Sequence, residues 1–166
     1  MSSVPAPELE ITPPLVESLA YDDVDLSATY MTRPHTVTDA DISTFSTLTH
    51  DHHPLHTDDA FARGMGFDRR IAHGLFGLSL MEGLKAELGL YTTTSVASLG
   101  WDNVRFSAPV YVGDTVQTRV SFVEKRPSRQ HRRGVVIEQV DLINQDGGVV
   151  ITARHASLLV MVAPSD

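Results

Sequence analysis

Gly74-Leu-Phe-Gly-Leu-Ser-Leu-Met-Glu-Gly-Leu-Lys-Ala-Glu-Leu-Gly89 is a dense apolar run. Leu75, Phe76, Leu78, Leu80, Met81, Leu84 and Leu88 fall on nearly every side of a helical projection, which predicts a buried helix. Gly77, Ser79 and Gly83 allow another element to approach closely, and Gly89 suits the C-terminal cap. Everything after it reads as strand. Ser95 to Val110 is β-rich, Gly113-Asp114 is a turn, and Val116, Thr118, Val120 and Phe122 alternate. Two further β-rich segments, 134–143 and 149–162, flank residues 144–148, where Asp146-Gly147 marks a hairpin. One long buried helix followed by long antiparallel strands predicts an α+β fold: a curved antiparallel sheet wrapped around one long buried helix.

Upstream, the order is looser. Residues 1–29 read as an N-terminal extension, because Pro5, Pro7, Pro13 and Pro14 break any helix and Asp22, Asp23 and Asp25 add charge without periodicity. Leu15, Val16 and Leu19 could pack one turn onto a surface. The domain proper is expected over 30–166, opening with a strand from Tyr30 to Val37. Thr38 is a good N-cap, Asp41 completes a shortened capping box, and Ile42, Phe45 and Leu48 follow at helical spacing. Pro54 ends that helix region and places residues 51–56 in a loop. Asp58-Asp59 can start another short helix that Gly64 and Gly66 close.

With 166 residues and 42% hydrophobic content, the chain suits a single globular domain. No cysteine is present, which removes disulfides, thiolate metal sites and a cysteine nucleophile. The formal charge, 13 − 21 = −8, argues against a nucleic-acid partner. There is no stretch of roughly 18–20 apolar residues and no signal-peptide pattern at the N-terminus, so a cytoplasmic protein with no membrane partner is expected. Residues 125–133 (Lys-Arg-Pro-Ser-Arg-Gln-His-Arg-Arg) are locally basic. They form either a solvated loop or a landing site for a phosphate-bearing ligand, through Arg129, Arg132 and Arg133.

His50-Asp-His-His-Pro-Leu-His56 carries the most chemistry. Asp51 and His56 could pass a proton in either direction, as adding water to a double bond requires. Gly74 at a helix start offers a backbone N–H to a developing oxyanion. Spacing alone equally suits a capped loop, with Asp51 closing an Asx-turn and His56 capping the next helix. A metal site is not expected: the histidines lack the i, i+4 helical spacing and no cysteine joins them. Ser79 lacks a nucleophile elbow.

The run from Phe45 through Asp51, Pro54, His56 and Asp58 to Ile71-Ala-His73-Gly74-Leu75 resembles the signature of the MaoC-like (R)-specific enoyl-CoA hydratases. Val104-Arg-Phe106-Ser-Ala-Pro109-Val-Tyr-Val-Gly113-Asp114-Thr115 is similar to that family's second signature, and the resemblance spans Tyr30 to Val162. It implies the hot-dog fold, usually as a homodimer, and no cofactor. It also implies Asp51 and His56 as the catalytic pair, with the Gly74 N–H on the thioester carbonyl. The implied substrates are 2-enoyl thioesters of coenzyme A, or of acyl-carrier protein. His53, Pro54, His73, Leu75, Ser79 and Glu82 are the expected substrate-binding residues. His53 stands where the family usually has Asn, and Glu82 where some relatives have a small hydroxyl residue. The function expected is reversible syn hydration of a 2-enoyl thioester, that is, 3-hydroxyacyl-CoA dehydration in reverse. The rivals are an acyl-CoA thioesterase, since hot-dog folds host those too, and a non-catalytic acyl-CoA-binding subunit.

Overall fold

The computed structural model describes residues 18–129 and 132–162; expectations for Pro5 to Val16 lie outside them. The element order is β1 (Thr29–Met31), β2 (His35–Thr36), α1 (Asp39–Thr49), α2 (Pro54–Thr57), α3 (Asp59–Gly64), α4 (Gly74–Glu87), β3 (Ser95–Phe106), β4 (Thr115–Pro127), β5 (Arg133–Asn144) and β6 (Val149–Val160). The sheet runs β1-β4-β5-β6-β3, all antiparallel, and β2 pairs with β4 beside β1.

The single early strand expected over 30–37 is two short ones. Pro34 lies between them, with a ring-fixed φ and no N–H to donate to the ladder. The capping box of α1 forms as read: Thr38 Oγ1 accepts from the Asp41 N–H, and the Asp41 carboxylate accepts from the Thr38 N–H at 2.8 Å. Leu48 is 75% exposed rather than part of the core, and the buried positions of α1 are Ile42 and Ser46.

Helix α4 lies against the inner face of the sheet. Phe76, Met81, Leu84 and Leu88 are buried in one cluster with Val116, Val120, Val140, Leu142 and Ile151. A Cβ on Gly77 would run into Ile151 Cδ1, so the glycine lets helix and sheet approach. The helix is not covered all round: Leu75 is 63% exposed, and Ser79 and Gly83 share that open side. Residues 19–24 run beside the sheet, where Tyr21 and Val24 pack with Phe122, Val136 and Leu159.

Strand β3 is the free edge of the sheet beyond β6, and its register slips three times: between Ser95 and Ala97, Ser98 and Gly100, and Asp102 and Arg105. Gly100 and Asn103 take positive φ at two of these bulges. Bulges bend a strand and increase its twist, which curls this edge toward α4.

Candidate active site

The segment that carries Asp51 and His56 is built by three local devices. His50 ends α1 in the left-handed region (φ 63°) and turns the chain back. Asp51 Oδ1 then accepts from the His53 N–H at 3.2 Å, an Asx-turn. His53 caps α2, its Nδ1 accepting from the Leu55 N–H at 3.3 Å, and Pro54 takes the first helical position. His56 caps neither short helix: His53 caps α2, and the Asp58 carboxylate caps α3, the helix expected after the loop. The departure from Asn also gains a reason, because an imidazole nitrogen performs the capping that an Asn oxygen performs elsewhere. His53 and Pro54 build the loop, and both are exposed.

His56, thus free of capping, points back into the fold. Its Nδ1 lies 2.7 Å from the Ile71 carbonyl oxygen. A carbonyl only accepts, so Nδ1 carries the hydrogen and the neutral ring has a bare lone pair on Nε2. The Ile71 segment is itself fixed: Ile71 N–H donates to Leu55 O at 3.0 Å, and Ala72 N–H to Val110 O at 2.7 Å. Burial pushes His56 below the ordinary imidazole range, and His73 adds to this; the Ile71 and Asp51 oxygens pull the other way without restoring it.

His73 is buried and stacks on His56 with ring centroids 3.7 Å apart. Its Nε2 lies 2.9 Å from the Asp51 carbonyl oxygen, so Nε2 is the donor, and its Nδ1 is a buried acceptor without a partner. One residue thus holds both the Asp51 backbone and the face of His56. Asp51, His56 and His73 bring one polar side-chain atom each within 4.8 Å of one another. The arrangement suits a single small polar molecule between a carboxylate and an imidazole.

Gly74 follows at the start of α4, where His73 supplies no side-chain cap. The first-turn N–H groups have no intrahelical acceptor. They border a cavity of about 340 Å³ lined by Phe67, His73, Gly74, Phe106, Val110 and Ile151 among others. A Cβ at Gly74 would sit 3.0 Å from the Phe106 ring, so the absence of a side chain keeps that ring against the helix start.

The other expected residues are more scattered. Leu75 and Ser79 lie on the open side of α4, and Glu82 lies two turns further on, ion-paired with Lys85 at 2.9 Å. Arg129, Arg132 and Arg133 are not brought to this cavity within one chain. Ile151 at the cavity pairs with Leu142, and Arg133 is nine residues back along β5, roughly 30 Å at ~3.3 Å per residue. Arg133, the first residue of β5, lies at the opposite end of that strand.

A second polar cluster went unread in the sequence. Lys85, Glu138 and His155 are buried against one another: Lys85 Nζ lies 2.8 Å from Glu138 Oε2, and His155 Nδ1 2.9 Å from the same oxygen. Tyr91 Oη donates to Glu138 Oε1 at 2.5 Å. Burial alone would raise Glu138, yet its bonds from His155, Lys85 and Tyr91 outweigh it and hold the carboxyl below its usual range. The signal was present: Glu138 occupies the inward phase of an apolar strand, between Val136 and Val140.

Residues 25–143 match the MaoC like domain family. The chain is 34% identical over 113 residues to the protein MaoC of Klebsiella aerogenes, covering 68% of this chain but only 32% of that longer protein. It is 30% identical to a 3-hydroxybutyryl-CoA dehydratase of Methylorubrum extorquens, covering 72% of this chain and 74% of that one. It is also 30% identical to an (R)-specific enoyl-CoA hydratase of Aeromonas caviae, over 69% and 81%. A monoamine oxidase regulatory protein from Archaeoglobus superposes with a TM-score of 0.82 at 32% identity, over 88% of this chain and 97% of that one. A double hot-dog protein from Mycobacterium tuberculosis superposes at 0.74 and 16% identity, over 90% and 46%, and shares the fold alone. The sheet curled around α4 is that hot-dog fold.

Proposed function

Because the chain belongs to the MaoC-like dehydratase family, we propose that it is an (R)-specific 2-enoyl-CoA hydratase that also runs in reverse as a 3-hydroxyacyl-CoA dehydratase. The observation that carries this reading is the Nδ1–H bond from His56 to Ile71, which leaves a bare Nε2 beside Asp51 near the uncapped start of α4.

In hydration, His56 Nε2 takes a proton from water as the water oxygen adds to C3. That proton is passed by way of the Asp51 carboxylate to C2. Asp51 lies close enough to His56 for this transfer through one water, and both groups end the cycle in their starting state. Both groups act from one face, so addition is syn. Negative charge on the thioester oxygen develops against the Gly74 N–H, aided by the positive end of α4. The depressed basicity of His56 favours its neutral, proton-accepting form. His73 positions the pair by bonding the Asp51 carbonyl and stacking on His56. The long free edge of β3, with Val96, Leu99 and Phe106 exposed, supports pairing of two copies. No helix among the described residues is long and apolar enough to cross a membrane.

Purified protein should hydrate crotonyl-CoA, and Asp51→Asn and His56→Ala should each lower kcat by about 10²–10⁴-fold. Wild-type rates in either variant would refute the assignment. Release of free CoA, read with a thiol reagent, would instead indicate thioester hydrolysis.

A further inference from the structure

The site cavity and the cavity beside the Lys85–Glu138–His155 cluster are each walled by α4, β3 and β6, at two levels of the same three elements. The site cavity is walled by Gly74 of α4, Phe106 of β3 and Ile151 of β6. A second cavity, of about 180 Å³, is walled by Glu82 and Lys85 of α4, Ser98 of β3, and His155 and Ser157 of β6. The register explains the match: Phe106 pairs with Ile151, Trp101 with His155 and Ser98 with Ser157. The spacing agrees on both walls. Gly74 to Glu82 is eight helical residues, about 12 Å, and Ile151 to His155 is four strand residues, about 13 Å. Between these levels sit Leu78, Trp101 and Val104, partly buried and apolar.

The far end of this trough is polar in a specific way. Glu82 Oε2 is buried and paired with Lys85 Nζ at 2.9 Å, while the Glu82 side chain as a whole is 41% exposed. Ser98 Oγ, exposed on β3, lies 2.7 Å from His155 Nε2. The formal charges of Lys85, Glu82 and Glu138 sum to −1. Such an end accepts hydrogen bonds and repels an anion. The order Ser98–His155–Glu138 matches a hydrolytic triad, but the Lys85 ammonium lies 2.8 Å from His155 Nδ1 and opposes the imidazolium such a serine requires.

Resting on the hydratase reading above, we infer that this enzyme takes enoyl thioesters whose acyl chain runs down the α4–β3 trough and ends in an uncharged hydrogen-bond donor, a hydroxyl group, held by Glu82 and Ser98. With the thioester oxygen at Gly74, a span of about 12 Å corresponds to roughly eight to ten carbons, at about 1.3 Å advance per ~1.5 Å bond. A crotonyl chain leaves the polar end empty.

The test compares kcat/KM of wild-type enzyme for three 2-decenoyl-CoAs: unsubstituted, ω-hydroxy and ω-carboxy. The ω-hydroxy substrate should exceed each of the others by at least about tenfold, one well-made hydrogen bond. Glu82→Leu and Ser98→Ala should each shrink the hydroxy-to-unsubstituted ratio toward one. Equal rates for all three substrates, preference for the carboxylate, or a ratio unmoved by both substitutions would overturn the inference. Crotonyl-CoA hydration by the wild type separates the two readings. Failure to hydrate crotonyl-CoA and all three decenoyl-CoAs counts against the hydratase itself, whereas hydration without discrimination among the decenoyl substrates counts against the hydroxyl subsite alone.

Discussion

Glu138→Gln is a sharp test of how the buried cluster holds the sheet to α4. Glu138 is fully buried and accepts from Lys85, His155 and Tyr91. The substitution keeps shape and volume but removes the charge that compensates Lys85, itself 4% exposed. Breaking one side of a buried ion pair costs about 3–5 kcal/mol. Glutamine retains one acceptor oxygen and Glu82 still faces Lys85, so the loss should fall near the low end, about 3 kcal/mol. For a chain of this length that lowers Tm by about 6–12 °C. Calorimetry at one fixed protein concentration reads it, since assembly would otherwise shift the midpoint. The double variant Lys85→Met/Glu138→Gln should recover part of the loss, because no ammonium is then left buried beside a lost partner, and Glu82, whose side chain is 41% exposed, can turn to water. The sign with pH follows from Glu138 being held below its ordinary 4.5. Its stabilisation is complete above that value and is lost as pH falls through the lower folded value, so the gap between wild type and variant should narrow below about 4.5. A Tm drop under about 2 °C, or a double variant as unstable as the two singles summed, would refute the reasoning.

The remaining expectations concern the Asp51–His56 segment and its supports. Burial holds His56 below its ordinary 6.5, so in free enzyme the acid limb of kcat/KM should lie below pH 6.5; a limb above 6.5 would exclude His56 as the neutral base. The same shift means the unfolded chain takes up a proton first on acidification, so His56 subtracts stability as pH falls below about 6.5. Thr38→Ala removes the α1 capping box and should cost about 1 kcal/mol in urea unfolding without changing the m-value. His53→Asn should retain stability and activity because Asn caps α2 equally well, whereas His53→Ala should lose about 1 kcal/mol; equal behaviour of the two would show that the cap does not matter.

What the sequence determined was local. Apolar density from Gly74 to Leu88, period-two alternation in β4 and Asp146-Gly147 at the hairpin are set by neighbours within a few residues, and they sufficed for the helix and the strands wrapped round it. The capping box at Thr38 was legible for the same reason, whereas Pro54, read as placing residues 51–56 in a loop, instead opens α2 and sets His56 in a helical turn. Tertiary structure alone decided which polar groups meet. His56 finds its carbonyl fifteen residues away at Ile71, and His73 reaches back twenty-two residues to Asp51, so the proton positions of both rings rest on non-local bonds. Lys85 and Glu138, fifty-three residues apart, are charged side chains that composition would place in water. They are buried because the register of β5 against β6 and the crossing of α4 put their desolvation under one shared set of hydrogen bonds.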